Sequence, residues 1–556
     1  MRIVSLLICP QTILSAASLG LALTFGAACG GAPSTPVVSP GPPVSAPNGS
    51  AGASGAVPIA PPDPFALPAG PRDEDAAEAA HGAVDLEPWK RAKTAKGVPP
   101  PPPACAAYAS RVAAKEASGI VETLGEKDPA RRDARLVAVD AQNAKLKGAW
   151  TRAVRAELAP IECADAITDP FLQSYVASAD PEAAERARLV VGFSLAGKLS
   201  RTASAPPSMG AIRDKEKVKA FIGGPLKTWL LEQSTAIEVL SSGAAGLTGY
   251  ARGVAAIEAG IAELRLVDKM RSAPVPATWD PELKAIYDAA LDEALEPRKK
   301  RGRDATLVGM SDLARAGILR DARLDRARAL LSKLYGGRRI DALDGLLLPA
   351  VVMPSPATPA DFAMANVPIV WLQDNDLASP DDPRTLGRGV TRSLRARFRK
   401  LAGGAPDELR SPYARARLDM GRVYWRRVDF VEAAYGAKGS DKPEDRLVLA
   451  VSLALAQGPN GAADMMRAAT PAALELRHTE ALDALVAEGG PLAGMAAFDA
   501  AHLRSLSPTE GEGAAAYLKD VAARFRKAES LLSDPAQKKA AAQRATDVEA
   551  IATSAK

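Results

Sequence analysis

MGRVYWRRVDFVEAAYGA, residues 420–437, is the stretch that decides the fold. Gly421 carries no side chain and so lets a second helix come close, and Tyr424 and Phe430 are placed to fill the seam between the two. Ala433 keeps the second helix tight, and Asp429 sits where that helix begins. A hairpin of this kind cannot bury its apolar face alone, so neighbours must stack on it.

The same texture extends in both directions. From Asp73 onward the chain alternates apolar-periodic runs with short Gly or Pro breaks, and predicts helices over Ala130 to Leu158, Pro181 to Leu199, Leu226 to Leu240, Leu247 to Met270 and Glu282 to Leu295. Four Asp-Pro pairs mark helix starts, at 128–129, 169–170, 180–181 and 280–281: Asp accepts from the first turn's amides and Pro occupies the first helical position. Apolar residues make up 47% of the 556, aromatics only 4%. Alanine, the best helix former, takes much of the apolar share, and β-branched runs are scarce, which argues against a sandwich or barrel. The expected class is all-α, a helical hairpin array or α-solenoid.

Residues 420–437 resemble the tetratricopeptide repeat. Met420, Gly421, Tyr424, Asp429, Phe430, Glu432 and Ala433 hold the repeat's positions, while Val428 replaces its turn glycine. A weaker echo begins at Gly317, and degenerate hairpins are expected over Arg446 to Ala469, Pro471 to Glu488 and Pro491 to Leu506. The resemblance implies a solenoid whose surface binds other proteins. Seven prolines between Leu346 and Pro383 suggest an interdomain crossing over 346–383, between helical domains at 73–345 and 384–556. Pro535 to Ala555 reads as a solvated capping helix.

The first 28 residues read as a secretory signal, with Arg2, then an apolar stretch from Ile13 to Phe25, then Gly26, Ala27 and Ala28 before Cys29. That ending resembles the lipobox of bacterial lipoproteins, although Gly26 stands where leucine is usual. The resemblance implies that Cys29 is acylated and becomes the mature N-terminus. Gly30, where an aspartate would retain a lipoprotein at the inner membrane, implies the outer membrane facing the periplasm; a secreted or soluble periplasmic protein is the alternative. Residues 29–72 are mostly Gly, Ala, Pro, Ser and Val, too poor in apolar area to offset ordering entropy, and are expected to form a disordered tether. Its root-mean-square reach is roughly 35 Å.

Cys105 and Cys163 both lie near predicted helix starts, in a compartment that permits disulfides. Joining them stabilises the fold by about 4 kcal/mol in the chain-entropy model. Two buried thiols are the alternative.

No phosphate loop, dinucleotide fingerprint or haem motif is present, and no cofactor is expected. Gly192-Phe193-Ser194-Leu195-Ala196 approaches a nucleophile elbow but lies within a predicted helix and lacks the second glycine. His478 and His502 show no zinc spacing, and the aspartates at 374, 376, 381 and 382 lack the glycine and glutamate of a calcium loop. No metal site is expected.

Charge is the remaining asymmetry. Residues 384–427 hold thirteen Arg or Lys against three acids, +10 in a chain of net +5. Arg392, Arg395, Arg399, Lys400, Arg422 and Arg426 are the candidates for a basic surface that docks acidic envelope proteins or an anionic envelope polymer or lipid; a solvated, internally paired helix face is the other reading. Nucleic acid is not expected as a partner. The functional expectation is a non-enzymatic, lipid-anchored scaffold or adaptor, with a solute- or glycan-binding lipoprotein second and a helical hydrolase third.

Overall fold

The computed structural model describes residues 63–67, 83–115, 120–142, 148–177, 180–210, 214–315, 318, 321–335, 340–349, 407–457, 476–507, 511 and 513–554. Among them there is no strand. In chain order the helices are α1 (Glu87–Lys93), α2 (Ala106–Ala109), α3 (Ile120–Leu124), α4 (Pro129–Gln142), α5 (Ala149–Leu158), α6 (Ala164–Ser174) and α7 (Pro181–Arg201). Then come α8 (Lys215–Phe221), α9 (Lys227–Gly243), α10 (Gly249–Arg271), α11 (Pro281–Arg315) and α12 (Ala322–Leu334). After residues 350–406 follow α13 (Asp407–Tyr424), α14 (Arg427–Ala437), α15 (Pro443–Ala456), α16 (Glu480–Glu488), α17 (Ala493–Leu506), α18 (Ala514–Leu531) and α19 (Pro535–Ser554).

In the N-terminal part α10 is the hub, packed by α7, α9, α11 and α12. Its closest neighbour is α11, and small residues set that distance. Gly253 and Gly260 on α10 face Gly309 and Gly302 on α11, each pair seven residues apart. A Cβ on Gly260 would lie 2.7 Å from the Thr306 amide nitrogen and 2.8 Å from the Gly302 oxygen. The two backbones are therefore in direct contact.

From α13 onward each helix packs on the next, through to α19, as expected of a helical array. α15 is buried from Leu447 to Ala456, so it is apolar on all sides where a surface helix would be striped. α19 buries Ala541, Ala545, Val548 and Ala552 and exposes most of the rest. A cluster of buried apolar residues runs from Val84 and Trp89 through Phe193 and Leu264 to Phe430, Val451 and Leu503.

Asp128, Asp180 and Asp280 cap as the sequence predicts, accepting from the amides of Arg131 (2.7 Å), Ala183 (2.8 Å) and Leu283 (2.7 Å). Asp169-Pro170 does not start a helix. α6 runs through Pro170, and Asp169 turns its carboxylate to α7. The stretch expected as one helix over 130–158 is two, α4 and α5. α11, expected to end at Leu295, continues past Pro297 to 35 residues. Arg298 and Arg301 hold that extension to α10 through Glu263, at 2.8 and 3.4 Å.

The end of the expected tether also differs. Phe65 and Leu67 pack against the core, and the Ala66 carbonyl accepts from Gln457 Nε2 at 3.3 Å. Two large apolar side chains within five residues supply this burial.

Candidate functional site

The hairpin of residues 420–437 forms as α13 and α14. A Cβ on Gly421 would stand 2.4 Å from the Phe430 ring, so the aromatic occupies the space that glycine leaves. Phe430 and Ala433 are fully buried, and the Tyr424 hydroxyl donates to the Ile318 carbonyl. At the turn, Trp425 has φ +54°, a left-handed conformation that costs a bulky residue roughly 1–2 kcal/mol. Full burial of its ring and a 2.6 Å bond from Nε1 to the Ile340 carbonyl offset that strain. Asp429 is wholly buried between Arg417, at 2.6 Å, and Arg426, at 2.9 Å.

Residues 340–349 form a strap whose backbone is held by side chains from four elements. Arg328 of α12 reaches the Ile340 carbonyl (3.4 Å) and the Asp344 carboxylate (3.0 Å). From α13, Arg422 donates to the Leu343 carbonyl at 3.0 Å and Arg415 to that of Pro349 at 2.7 Å. Trp425 holds Ile340 from the turn, and α17 supplies Asp499 and His502. The Leu347 amide donates to Asp499 Oδ1 at 2.7 Å, while His502 Nε2 meets the Ala342 carbonyl at 2.8 Å. Asp499 Oδ2 has no hydrogen-bond partner among the described residues. Burial therefore pushes this carboxyl well above the ordinary carboxylate range, with the Leu347 amide and the Arg422 charge opposing only in part.

Of the expected basic surface, Arg392, Arg395, Arg399 and Lys400 lie outside the described residues. Arg422 and Arg426 do not belong to an open basic face. Arg422 is consumed by the strap and by Asp419 (3.1 Å), and Arg426 by Asp429. Arg415 pairs with Asp419, and Arg427 donates to the Ala456 carbonyl at 2.8 Å. A count of charges along the chain registers these arginines but not the carbonyls they meet.

Cys105 and Cys163 are joined by a disulfide, with Cα atoms 5.0 Å apart. Cys29, the signal segment and the aspartates at 374–382 lie outside the described residues. Ser194 is buried inside α7, and its hydroxyl is fully used. It accepts from Trp89 Nε1 (2.9 Å) and Lys198 Nζ (3.0 Å) and donates to Asp169 Oδ1 (2.5 Å). Sequence reasoning overlooked Lys198 and Asp169, although Lys198 lies one helical turn beyond Ser194.

A second buried network joins α5, α10 and α12. Arg323 meets Glu157 at 3.0 Å and Asp321, and the Tyr250 hydroxyl donates to Glu157 at 2.8 Å. Burial raises the Glu157 carboxyl above its ordinary value, with the Arg323 charge opposing. Nearby, burial also raises Glu258, whose Oε1 accepts from Arg326 at 2.6 Å. A cleft of about 440 Å³ is lined by Leu307, Val308 and Ser311 together with Arg252, Arg303 and Arg315. Asp312, also in its lining, is already paired with Arg252, at 2.7 Å. Among the described residues no group of His, Cys, Asp and Glu is placed to hold a metal, and no helix is long and apolar enough to cross a membrane.

Compared with protein-family models, curated proteins and solved structures, the chain matches none.

Proposed function

We propose that this protein is a lipid-anchored envelope scaffold. A tetratricopeptide-like helical array, moored through Cys29 to the outer membrane on its periplasmic side, holds other envelope components on its surface without catalysing a reaction. The observation that carries the reading is where the ionisable groups go. Glu157 with Arg323, Asp429 with Arg417, and Asp169 with Ser194 and Lys198 are all used to bind helix to helix within the stack. Such side chains fix an architecture; a reaction centre needs them turned toward a substrate. The cleft beside Arg315 favours one alternative, a solute-binding lipoprotein.

Two measurements test the proposal. Cells grown with an alkyne-bearing fatty acid should label the wild-type chain and not Cys29→Ser, which should leave the membrane fraction. Crosslinking in the native envelope, read by mass spectrometry, should recover protein partners from the anchored form. An unlabelled wild type removes the anchor; an anchored protein without crosslinked partners removes the scaffold.

A further inference from the structure

α11 is 35 residues long, about 52 Å, and α10 accompanies only part of it. The ion pair of Arg271, the last residue of α10, with Asp292 (2.9 Å) marks where that company ends. Residues 281–290 project beyond it, and none of them is buried; the first buried positions are Leu291 and Leu295. A helix end with no fully buried residue is expected to be polar over most of its surface. This one is not. Leu283, Ile286, Tyr287 and Ala290 recur at i, i+3, i+4 and i+7, and Ile286 is 52% exposed. Tyr287 is half-buried, packed against the core and edge-on against Trp279 with ring centroids 5.2 Å apart, so the stripe's aromatic is fixed before anything binds and Ile286 is its exposed apolar side chain.

The charges beside the stripe limit what covers it. Glu282, Glu293 and Glu296 follow the same helical spacing along one edge, and all are exposed. Glu296 pairs with Lys299, at 3.4 Å. Two copies of this face laid antiparallel would set acidic edge against acidic edge, which opposes that self-pairing; the opposite edge carries the exposed Lys284. An anionic surface is disfavoured for the same reason.

We infer that the projecting end of α11, Pro281 to Leu291, is a docking face for a basic amphipathic helix of a partner protein. The stripe receives the partner's apolar positions, and Glu282 and Glu293 pair with the cations that flank them. This deepens the scaffold reading and rests on it, by naming the chemistry of the partner.

The test uses the full chain, purified in detergent, and two fluorescein-labelled designed helical peptides with the same leucine stripe, one flanked by Lys and Arg and one by Glu. The basic peptide should bind, the acidic one should not, and Ile286→Asp should weaken binding at least tenfold. Residue 286 is already half exposed, so that variant should keep the wild-type circular dichroism. Glu282→Lys combined with Glu293→Lys should exchange the preference between the peptides. Equal binding of both peptides, or a basic-peptide affinity untouched by Ile286→Asp, overturns the inference. So does a wild-type dimer that Ile286→Asp converts to monomer, because a second copy would then be the occupant. Missing partners in the native-envelope crosslinking count against the scaffold reading, whereas these peptide outcomes count against the docking face alone.

Discussion

Gly260→Ala tests whether backbone contact between α10 and α11 organises the N-terminal half. The added methyl would lie 2.1 Å from Thr306 Oγ1, 2.7 Å from its amide nitrogen and 2.8 Å from the Gly302 oxygen. The Thr306 hydroxyl can rotate away, but the two backbone atoms cannot. Restoring ordinary contact parts the helices by about 0.6 Å, a gap of the size that forfeits a quarter or more of each dispersion contact along the seam. Overpacking of this kind costs about 1–3 kcal/mol, while alanine returns up to about 1 kcal/mol in helix propensity. Gly223, in the π-helical turn Ile222–Leu226, has nothing within 4 Å of its notional Cβ and so experiences only the propensity gain. Urea unfolding followed by circular dichroism should therefore place Gly260→Ala below Gly223→Ala by about 1–3 kcal/mol, the packing cost alone. If the two variants unfold together, or Gly260→Ala is the more stable, the close approach is not what holds α10 to α11.

Two further outcomes follow from buried groups. The Cys105–Cys163 bridge spans a sequence separation of 58, so Cys105→Ala with Cys163→Ala should lose about 4 kcal/mol in denaturant unfolding, and reductant should no longer affect the variant. Asp499 holds its proton more tightly in the folded chain than in the unfolded one. Its contribution is therefore fully present below the ordinary carboxylate pKa and declines as pH rises toward the raised folded value. Asp499→Asn cannot ionise, so from pH 4 upward it should gain on the wild type by up to about 1.4 kcal/mol per pH unit. Parallel stability curves for the two proteins would show that this carboxyl does not titrate in a buried state.

Local signals in the sequence were legible where the chemistry itself is local. Asp128, Asp180 and Asp280 cap because the acceptor, the proline and the recipient amide all lie within four residues. Asp169-Pro170 has the same letters, but α7 offers Ser194 and Lys198 to the carboxylate, and contacts 25 and 29 residues away are invisible in a dipeptide. The far half of α11 was missed for a related reason. Pro297 and the basic run 298–303 look like a terminus, yet Glu263 on the neighbouring helix pairs with Arg298 and Arg301 of that run. The seam of residues 420–437 was readable because Gly421 and Phe430 meet within one hairpin. Arg422 and Arg426 looked available because the strap carbonyls and Asp429 they meet are set by tertiary packing.

The seating of Phe65 and Leu67 beside Gln457 decides how mechanical load enters the molecule. A pull applied along the chain from its N-terminal side would meet this small apolar contact before it reached α1, and would bear on the core and on Gln457 at the end of α15. That array is layered, each helix bearing on the next, so a load applied at α15 is shared with the helices packed against it.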